Sequence, residues 1–281
     1  MGRMKTLLIT GAAGELGTFL RAELAGRYRL CLADRRPLPE GAPALRPGER
    51  FESCDISRLE DVLRVTQGVD AIVHLAGQSL ESDWDTILQA NIVGSYHVFE
   101  AARRNGVKRV VYASSNHATG FYLRSERIDH KAGPRPDSRY GLSKAFGEGL
   151  SSLYADKYGL QVMCIRIGKV ALQPTDERRM ATWISPRDFA QLVGIGLEHP
   201  KLRHELVYGI SGNTRAWYDN GNARRLGYRP LDNAESWVGE LPASPTEGDP
   251  VAEQFQGGLF CVSEEIRPEH ASPAPPPRRR A

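Results

Sequence analysis

Three glycines spaced three apart, Gly11, Gly14 and Gly17, stand where one apolar run ends and a helical pattern begins. The run is residues 5–10 (KTLLIT), and Phe19, Leu20 and Leu24 follow at helical spacing. This junction restricts the chain more than any other feature. Gly11 allows a tight turn, Gly14 lets the backbone approach a pyrophosphate, and Gly17 permits close packing of the helix. A helix starting with Glu15 and Leu16 offers free N–H groups and a positive dipole end to phosphates. Three glycines alone would be a weak signal. Their place at the first strand–helix junction makes it strong.

The rest of the chain repeats that alternation. Residues 28–33 (YRLCLA), 51–54, 69–75 (VDAIVHL), 107–113 (VKRVVYA) and 161–167 (QVMCIRI) read as further strands. Helical patterns cover 59–66, 87–104 and 138–157, and Ser185-Pro186 opens another helix with a cap and a first-turn proline. Apolar strands alternating with helices predict an α/β fold, a Rossmann-type doubly wound parallel sheet with helices on both faces. The alternation loosens after about residue 182, which predicts a small C-terminal substrate-covering lobe on the same sheet. The expectation is one domain over 1–263, with 5–168 mainly the cofactor-binding sheet and 169–263 mainly the lobe with late sheet elements. The Pro- and Gly-rich stretch 37–48 is a surface loop. Residues 264–281, with PAPPPRRR, are expected to be a disordered tail.

Charge and cysteines narrow the function. The net charge is +3, and three positives are Arg278, Arg279 and Arg280, so the folded part is near neutral and no nucleic-acid partner is expected. Four cysteines, Cys31, Cys54, Cys164 and Cys261, show no metal-ligand or redox spacing. They read as reduced thiols of a cytoplasmic protein, and no metal is expected. No apolar run approaches the ~20 residues of a membrane helix, and the first strand begins too early for a signal peptide.

Asp34 ends the second strand, where a carboxylate accepts hydrogen bonds from the ribose hydroxyls of NAD and repels a 2′-phosphate. NAD is therefore the expected cofactor. Arg35 and Arg36 could pair with such a phosphate, but they read better as solvated surface residues. Asp55, just after the third strand, is at the depth of an adenine amino group, and a capping role is equally open.

Tyr140 and Lys144 lie four apart at the start of a helix and so share a face. A free tyrosine, with a pKa near ~10, is a poor base at neutral pH. A neighbouring ammonium and the positive ring of oxidised cofactor favour the phenolate, which could take a proton from a sugar hydroxyl. Ser115, Asn116 and His117 run off the end of the fifth strand, where ligands of open parallel sheets bind. Ser115 can hydrogen-bond the reacting hydroxyl, and His117 can hold a substrate group.

With these residues in view, the chain resembles the extended short-chain dehydrogenases in its glycine pattern, Asp34, Asp55, His74-Leu-Ala-Gly77, Asn91, Ser115 and the Tyr140/Lys144 pair. More narrowly, residues 5–260 resemble the bacterial uronate dehydrogenases. The matching pieces are SSNH (114–117), YGLSKAFGE (140–148), RIG (166–168), RMATW (179–183), WYDN (217–220), LGYRPLDNAE (226–235) and FQGG (255–258). The resemblance implies oxidation of D-galacturonate or D-glucuronate at C1 to an aldarolactone. In it Tyr140 is the base, Lys144 tunes the tyrosine and holds the nicotinamide ribose, and Ser115 binds the same oxygen. Asn91 would support Lys144 through water, and Ile56, Leu75, Ala76 and Gly77 would line the cofactor site. Ser79, Asn116 and His117 match substrate-contacting positions, and Arg179 matches a carboxylate-binding arginine, with Arg178 one register away. A departure lies at Lys169, where the family usually has serine. The lysine could add a second cation for the carboxylate or crowd the sugar. Another NAD(P)-dependent sugar oxidoreductase or a nucleotide-sugar epimerase would share the fold, cofactor and tyrosine, and an NAD-binding sensor could dispense with Tyr140 and Lys144. The helix at 87–104 matches an element that pairs subunits in the superfamily, so a homo-oligomer is expected.

Overall fold

The computed structural model describes residues 3–244 and 246–263. Its elements alternate as expected: β1 (Thr6–Thr10), α1 (Glu15–Glu23), β2 (Arg29–Asp34), β3 (Glu49–Ser53), α2 (Leu59–Thr66) and β4 (Ala71–His74). After these come α3 (Trp84–Ile87), α4 (Gly94–Arg104), β5 (Arg109–Ser115), α5 (Arg139–Tyr158) and β6 (Gln161–Ile167). The C-terminal part adds β7 (Lys169–Val170), β8 (Trp183–Ile184), α6 (Pro186–Glu198), β9 (His204–Gly209), α7 (Gly221–Arg225) and α8 (Pro250–Gln254). Seven strands form one sheet in the order β3-β2-β1-β4-β5-β6-β9, every pairing parallel. The expected tail at 264–281 lies outside the described residues.

Alternation along each strand divides the core in two. Leu7, Ile9, Leu32, Val73 and Val111 face α1 and α6, meeting Leu20, Leu24, Phe189 and Val193. Leu8, Cys31, Ile72, Val110 and Tyr112 face the other way, onto Val62, Val98, Phe99, Leu150 and Tyr154 of α2, α4 and α5. Cys31, Cys54, Cys164 and Cys261 are all buried and free.

Three local outcomes differ from the expected boundaries. The helix predicted at 87–104 begins at Trp84, because the Asp83 side chain accepts from Thr86 N at 2.9 Å and caps it. It also contains a π-turn over Leu88–Val93, a widened turn of the kind frequent at functional sites. The third strand begins two residues earlier and ends one earlier, and, being the sheet edge, is only partly buried. Helix α5 is capped by Ser138, whose hydroxyl accepts from Gly141 N at 3.0 Å, and stops at Gly159 with φ +71°. These two ends set where Tyr140 and Lys144 stand.

Between β1 and β4 the winding of the sheet reverses, with β2 on one side of β1 and β4 on the other. The carboxyl ends of β1, β4, β5 and β6 therefore border one crevice, the place where open α/β sheets bind ligands.

Candidate active site

The glycine loop meets its steric demands. Gly11 has φ +74°, and a Cβ there would lie 2.7 Å from Ala76 N. A Cβ on Gly17 would lie 2.6 Å from Gly11 O, so α1 could not approach the loop. Helix α1 starts after Gly14 with no side-chain cap, which leaves the N–H groups of Glu15, Leu16 and Gly17 to an anion. Asp34, at the tip of β2, accepts from Ala13 N and from Arg36 N, each at 3.0 Å. These bonds tie the carboxylate to the loop and leave its remaining lone pairs for a ribose. Arg36 is exposed and stands 3.9 Å from Asp34. The loop, the bare helix end and the Asp34 carboxylate together fit a dinucleotide.

Asp55 accepts from Ser57 N at 2.9 Å and Ser57 Oγ at 2.8 Å, closing a turn before α2 rather than capping it. Although burial pushes its carboxyl up, the Ser57 bonds and the positive charge of Arg35 and Arg58 hold it below the ordinary range. Ile56 is buried against Gly94. Leu75, Ala76 and Gly77 leave β4 at the crevice, with Leu75 N donating to Thr10 O at 3.2 Å.

Asn91 sits inside the π-turn and clamps that segment. Its Oδ1 accepts from Gln78 N at 2.7 Å, while its Nδ2 donates to Gln78 O at 3.0 Å and to Ser143 Oγ at 2.9 Å. The asparagine thus joins the β4 exit to the residue preceding Lys144. A Cβ on Gly77 would lie 2.7 Å from Asn91 Oδ1, which explains the glycine. Glu81, from the same exit loop, accepts from Tyr140 N at 2.8 Å and Arg139 N at 3.2 Å. It holds the first turn of α5. Ser79 is exposed on this loop.

At the centre, Tyr140 is buried and shares a hydrogen bond with Ser115. Lys144 Nζ donates to Ala113 O at 2.9 Å and lies 5.5 Å from the Tyr140 ring centroid. Burial lowers Lys144 to about 8, since an ammonium is poorly solvated there. Burial also pushes Tyr140 up to about 12, which the Ser115 bond only partly offsets. In the fold by itself, therefore, Tyr140 is held as the phenol. The sequence argument for a phenolate counted Lys144 together with the positive ring of oxidised cofactor, and the burial of Tyr140 is the opposing effect those two charges have to offset.

His117 and Asn116 are buried at the end of β5. His117 Nδ1 is 2.6 Å from Asp137 Oδ2, and its ring stacks on Phe260 with centroids 3.8 Å apart. Its backbone N–H donates to Ser115 Oγ at 3.2 Å. Arg179 is partly exposed, 3.8 Å from Asp176. Arg178 is the buried one of the two. Its Nη2 donates to Phe255 O at 3.1 Å and to Gln256 O, its guanidinium lies 4.8 Å from the Trp217 ring centroid, and its Nη1 has no hydrogen-bond partner among the described residues. Burial lowers this arginine to about 10, helped by Arg124 and Arg179 nearby. Lys169 pairs with Glu15 at 3.2 Å, linking the start of β7 to the start of α1.

Two residues of the matched segments serve the frame. Arg166 and Glu148 form a buried two-pronged pair, both contacts 2.9 Å, and Ser114 Oγ donates to Glu148 at 2.6 Å. They fasten α5 to β6 and β5. Glu81, Asp137 and Phe260 were not found by sequence reasoning. A carboxylate three residues before a candidate tyrosine was the only signal for any of them.

The profile described as "NAD dependent epimerase/dehydratase family" matches residues 7–196. The chain is 46% identical to uronate dehydrogenase of Pseudomonas putida over 92% of its length and 96% of that protein. The chain belongs to the uronate dehydrogenase family. Solved structures of this family superpose closely. A glucuronic acid dehydrogenase from Chromohalobacter salexigens gives a TM-score of 0.88 at 42% identity, covering 93% of this chain and 98% of that one. A mutant uronate dehydrogenase from Agrobacterium tumefaciens complexed with NAD gives 0.87 at 40%, covering 94% and 99%. As a member of the family, the chain is an NAD-dependent oxidoreductase. Among the described residues no helix is long and apolar enough to cross a membrane.

Proposed function

We propose that the chain oxidises a hexuronate, D-galacturonate or D-glucuronate, at the anomeric C1 to the aldarolactone. The carrying observation is the buried Arg178, whose Nη1 has no hydrogen-bond partner among the described residues. An unpaired buried guanidinium N–H is costly, and a substrate carboxylate would satisfy it with a charge-assisted bond. This favours Arg178 over Arg179 as the carboxylate contact. The 255–258 turn that holds Arg178 continues to Phe260, which stacks on His117, so one short segment touches both the arginine and the β5 exit. The relatives named for uronate and glucuronic acid support the same reading.

In this mechanism the C1 hydroxyl lies between Ser115 and Tyr140, and Tyr140 Oη, as the phenolate, takes its proton; the positive charge of Lys144 and that of oxidised NAD when bound oppose the desolvation that holds the phenol in the fold by itself. NAD, held by the glycine loop, Asp34 and the Asn91-clamped β4 exit, supplies the hydride acceptor when bound. Lys144 keeps a positive charge beside the tyrosine below about pH 8, which favours proton acceptance. Glu81 and Asn91 fix the first turn of α5 so that these groups keep their places.

The test mixes the protein with NAD and, separately, galacturonate, glucuronate and glucose, and follows NADH absorbance. Signal with a uronate and none with glucose is expected. Arg178→Ala should raise KM for the uronate by about 100-fold, more than Arg179→Ala does. Absence of NADH with both uronates, despite NAD binding, overturns the assignment.

A further inference from the structure

We infer that Asp137 is a positioning residue that sets the tautomer of His117, so that the histidine meets the sugar as a hydrogen-bond acceptor. The argument starts with the carboxylate. Asp137 is buried, its Oδ2 lies 2.6 Å from His117 Nδ1, and its Oδ1 accepts from Ser138 Oγ at 2.8 Å. An ionised carboxylate can only accept, so the shared proton sits on Nδ1. When the ring is neutral, its lone pair is therefore on Nε2.

That second nitrogen has no hydrogen-bond partner among the described residues, and the side chain keeps only 11% exposure. The ring cannot turn to find one. Phe260 stacks on one face at 3.8 Å, with its plane 26° from parallel, and Tyr140 meets the ring edge-on at 5.8 Å. His117 N is held by Ser115, the hydroxyl that shares its bond with Tyr140. Nε2 is therefore fixed relative to the reacting oxygen by the same serine.

Space for the carboxylate is built in. A Cβ on Gly120 would lie 1.8 Å from Asp137 Oδ2, one on Gly257 2.0 Å from the same atom, and one on Gly141 2.9 Å from Oδ1. These glycines come from three separate segments: the turn after β5, the first part of α5 and the C-terminal turn before Phe260. The fold thus closes three backbones on one buried acid.

An acceptor at Nε2 selects a donor. A sugar hydroxyl fits, and a carboxylate oxygen facing the same lone pair is repelled. His117 then reads a ring hydroxyl while the carboxylate goes to the buried arginine. The substrate part of this inference rests on the proposed uronate oxidation; the tautomer part does not.

The test uses nitrogen-15 NMR of imidazole-labelled protein at pH 8, with the His117 signal assigned by its loss in His117→Gln. The expected spectrum shows a proton on Nδ1 and a bare Nε2. A proton on Nε2 overturns the inference. In Asp137→Asn the side-chain amide can donate to Nδ1, which moves the proton to Nε2 and turns the acceptor into a donor. The kcat/KM for the uronate should then fall roughly 30- to 200-fold, while NAD affinity, followed by protein fluorescence, stays within about twofold of wild type. A moved proton with kcat/KM unchanged shows that His117 does not read the sugar and overturns the inference. Should Asp137→Asn not fold, the wild-type spectrum decides it. Should wild type oxidise no uronate, the functional reading fails while the spectrum still reports the tautomer.

Discussion

Replacing Lys144 with methionine should stabilise the fold while disabling the site. The ammonium is buried, and burial lowers it from 10.5 to about 8. That difference corresponds to about 3 kcal/mol of destabilisation while the group stays charged. The bond to Ala113 O at 2.9 Å returns about 1 kcal/mol. Methionine keeps the length and removes the charge, so Lys144→Met should gain about 2 kcal/mol in urea unfolding at pH 7. The pH dependence has a definite sign. The folded-state pKa lies below the unfolded one, so the penalty is full below pH 8, shrinks as pH rises toward 10.5, and is absent above it. The stability gap between variant and wild type should narrow over that window. Cysteines and tyrosines that also titrate there are common to both proteins and cancel in the difference. Uronate turnover should drop by at least about 100-fold. An unchanged stability at pH 7, or a gap that widens with pH, refutes the reasoning.

Tyr140→Phe should lower kcat about 1000-fold while NAD affinity holds, measured by single turnover and by fluorescence titration. Glu148→Gln leaves Arg166 buried with half its partner, and should cost about 3–5 kcal/mol in urea unfolding; a loss under about 1 kcal/mol contradicts the role given to the pair. Leu142, Phe146 and Leu153 form an exposed apolar stripe on α5, with Tyr96 exposed on the neighbouring α4. We propose a second copy of the chain as its partner, so Phe146→Glu should shift the protein to a smaller species in size-exclusion chromatography, and an unchanged elution volume refutes it.

Much of the frame was legible because its signals are local. The glycine spacing, the Tyr140/Lys144 spacing and the Ser185-Pro186 start each involve residues within a turn or two of one another. Each was placed in the element expected of it. What escaped was pairing across the fold. Glu148 and Arg166 both lie inside recognisable segments, yet nothing in the order of residues says that they bond each other. Phe260 reaches His117 from the far end of the described chain, and Glu81 caps a helix 58 residues on. Asp137 follows Pro134 and Pro136 in a loop, and nothing in that local sequence says that its carboxylate meets His117. The proposed choice of Arg178 over Arg179 turns on side-chain burial, which the order of two adjacent identical residues does not reveal. The burial that opposes ionisation of Tyr140 was hidden for a different reason. Desolvation depends on how deeply the fold buries the ring, a quantity that spacing does not carry.

The most direct measurement of the central claim uses a hexuronate carrying deuterium at C1. Incubated with NAD and the protein, it should give deuterated NADH and an aldarolactone visible by carbon NMR, with a slowed single turnover. Undeuterated NADH, or a product that keeps deuterium at C1, would contradict oxidation at the anomeric carbon.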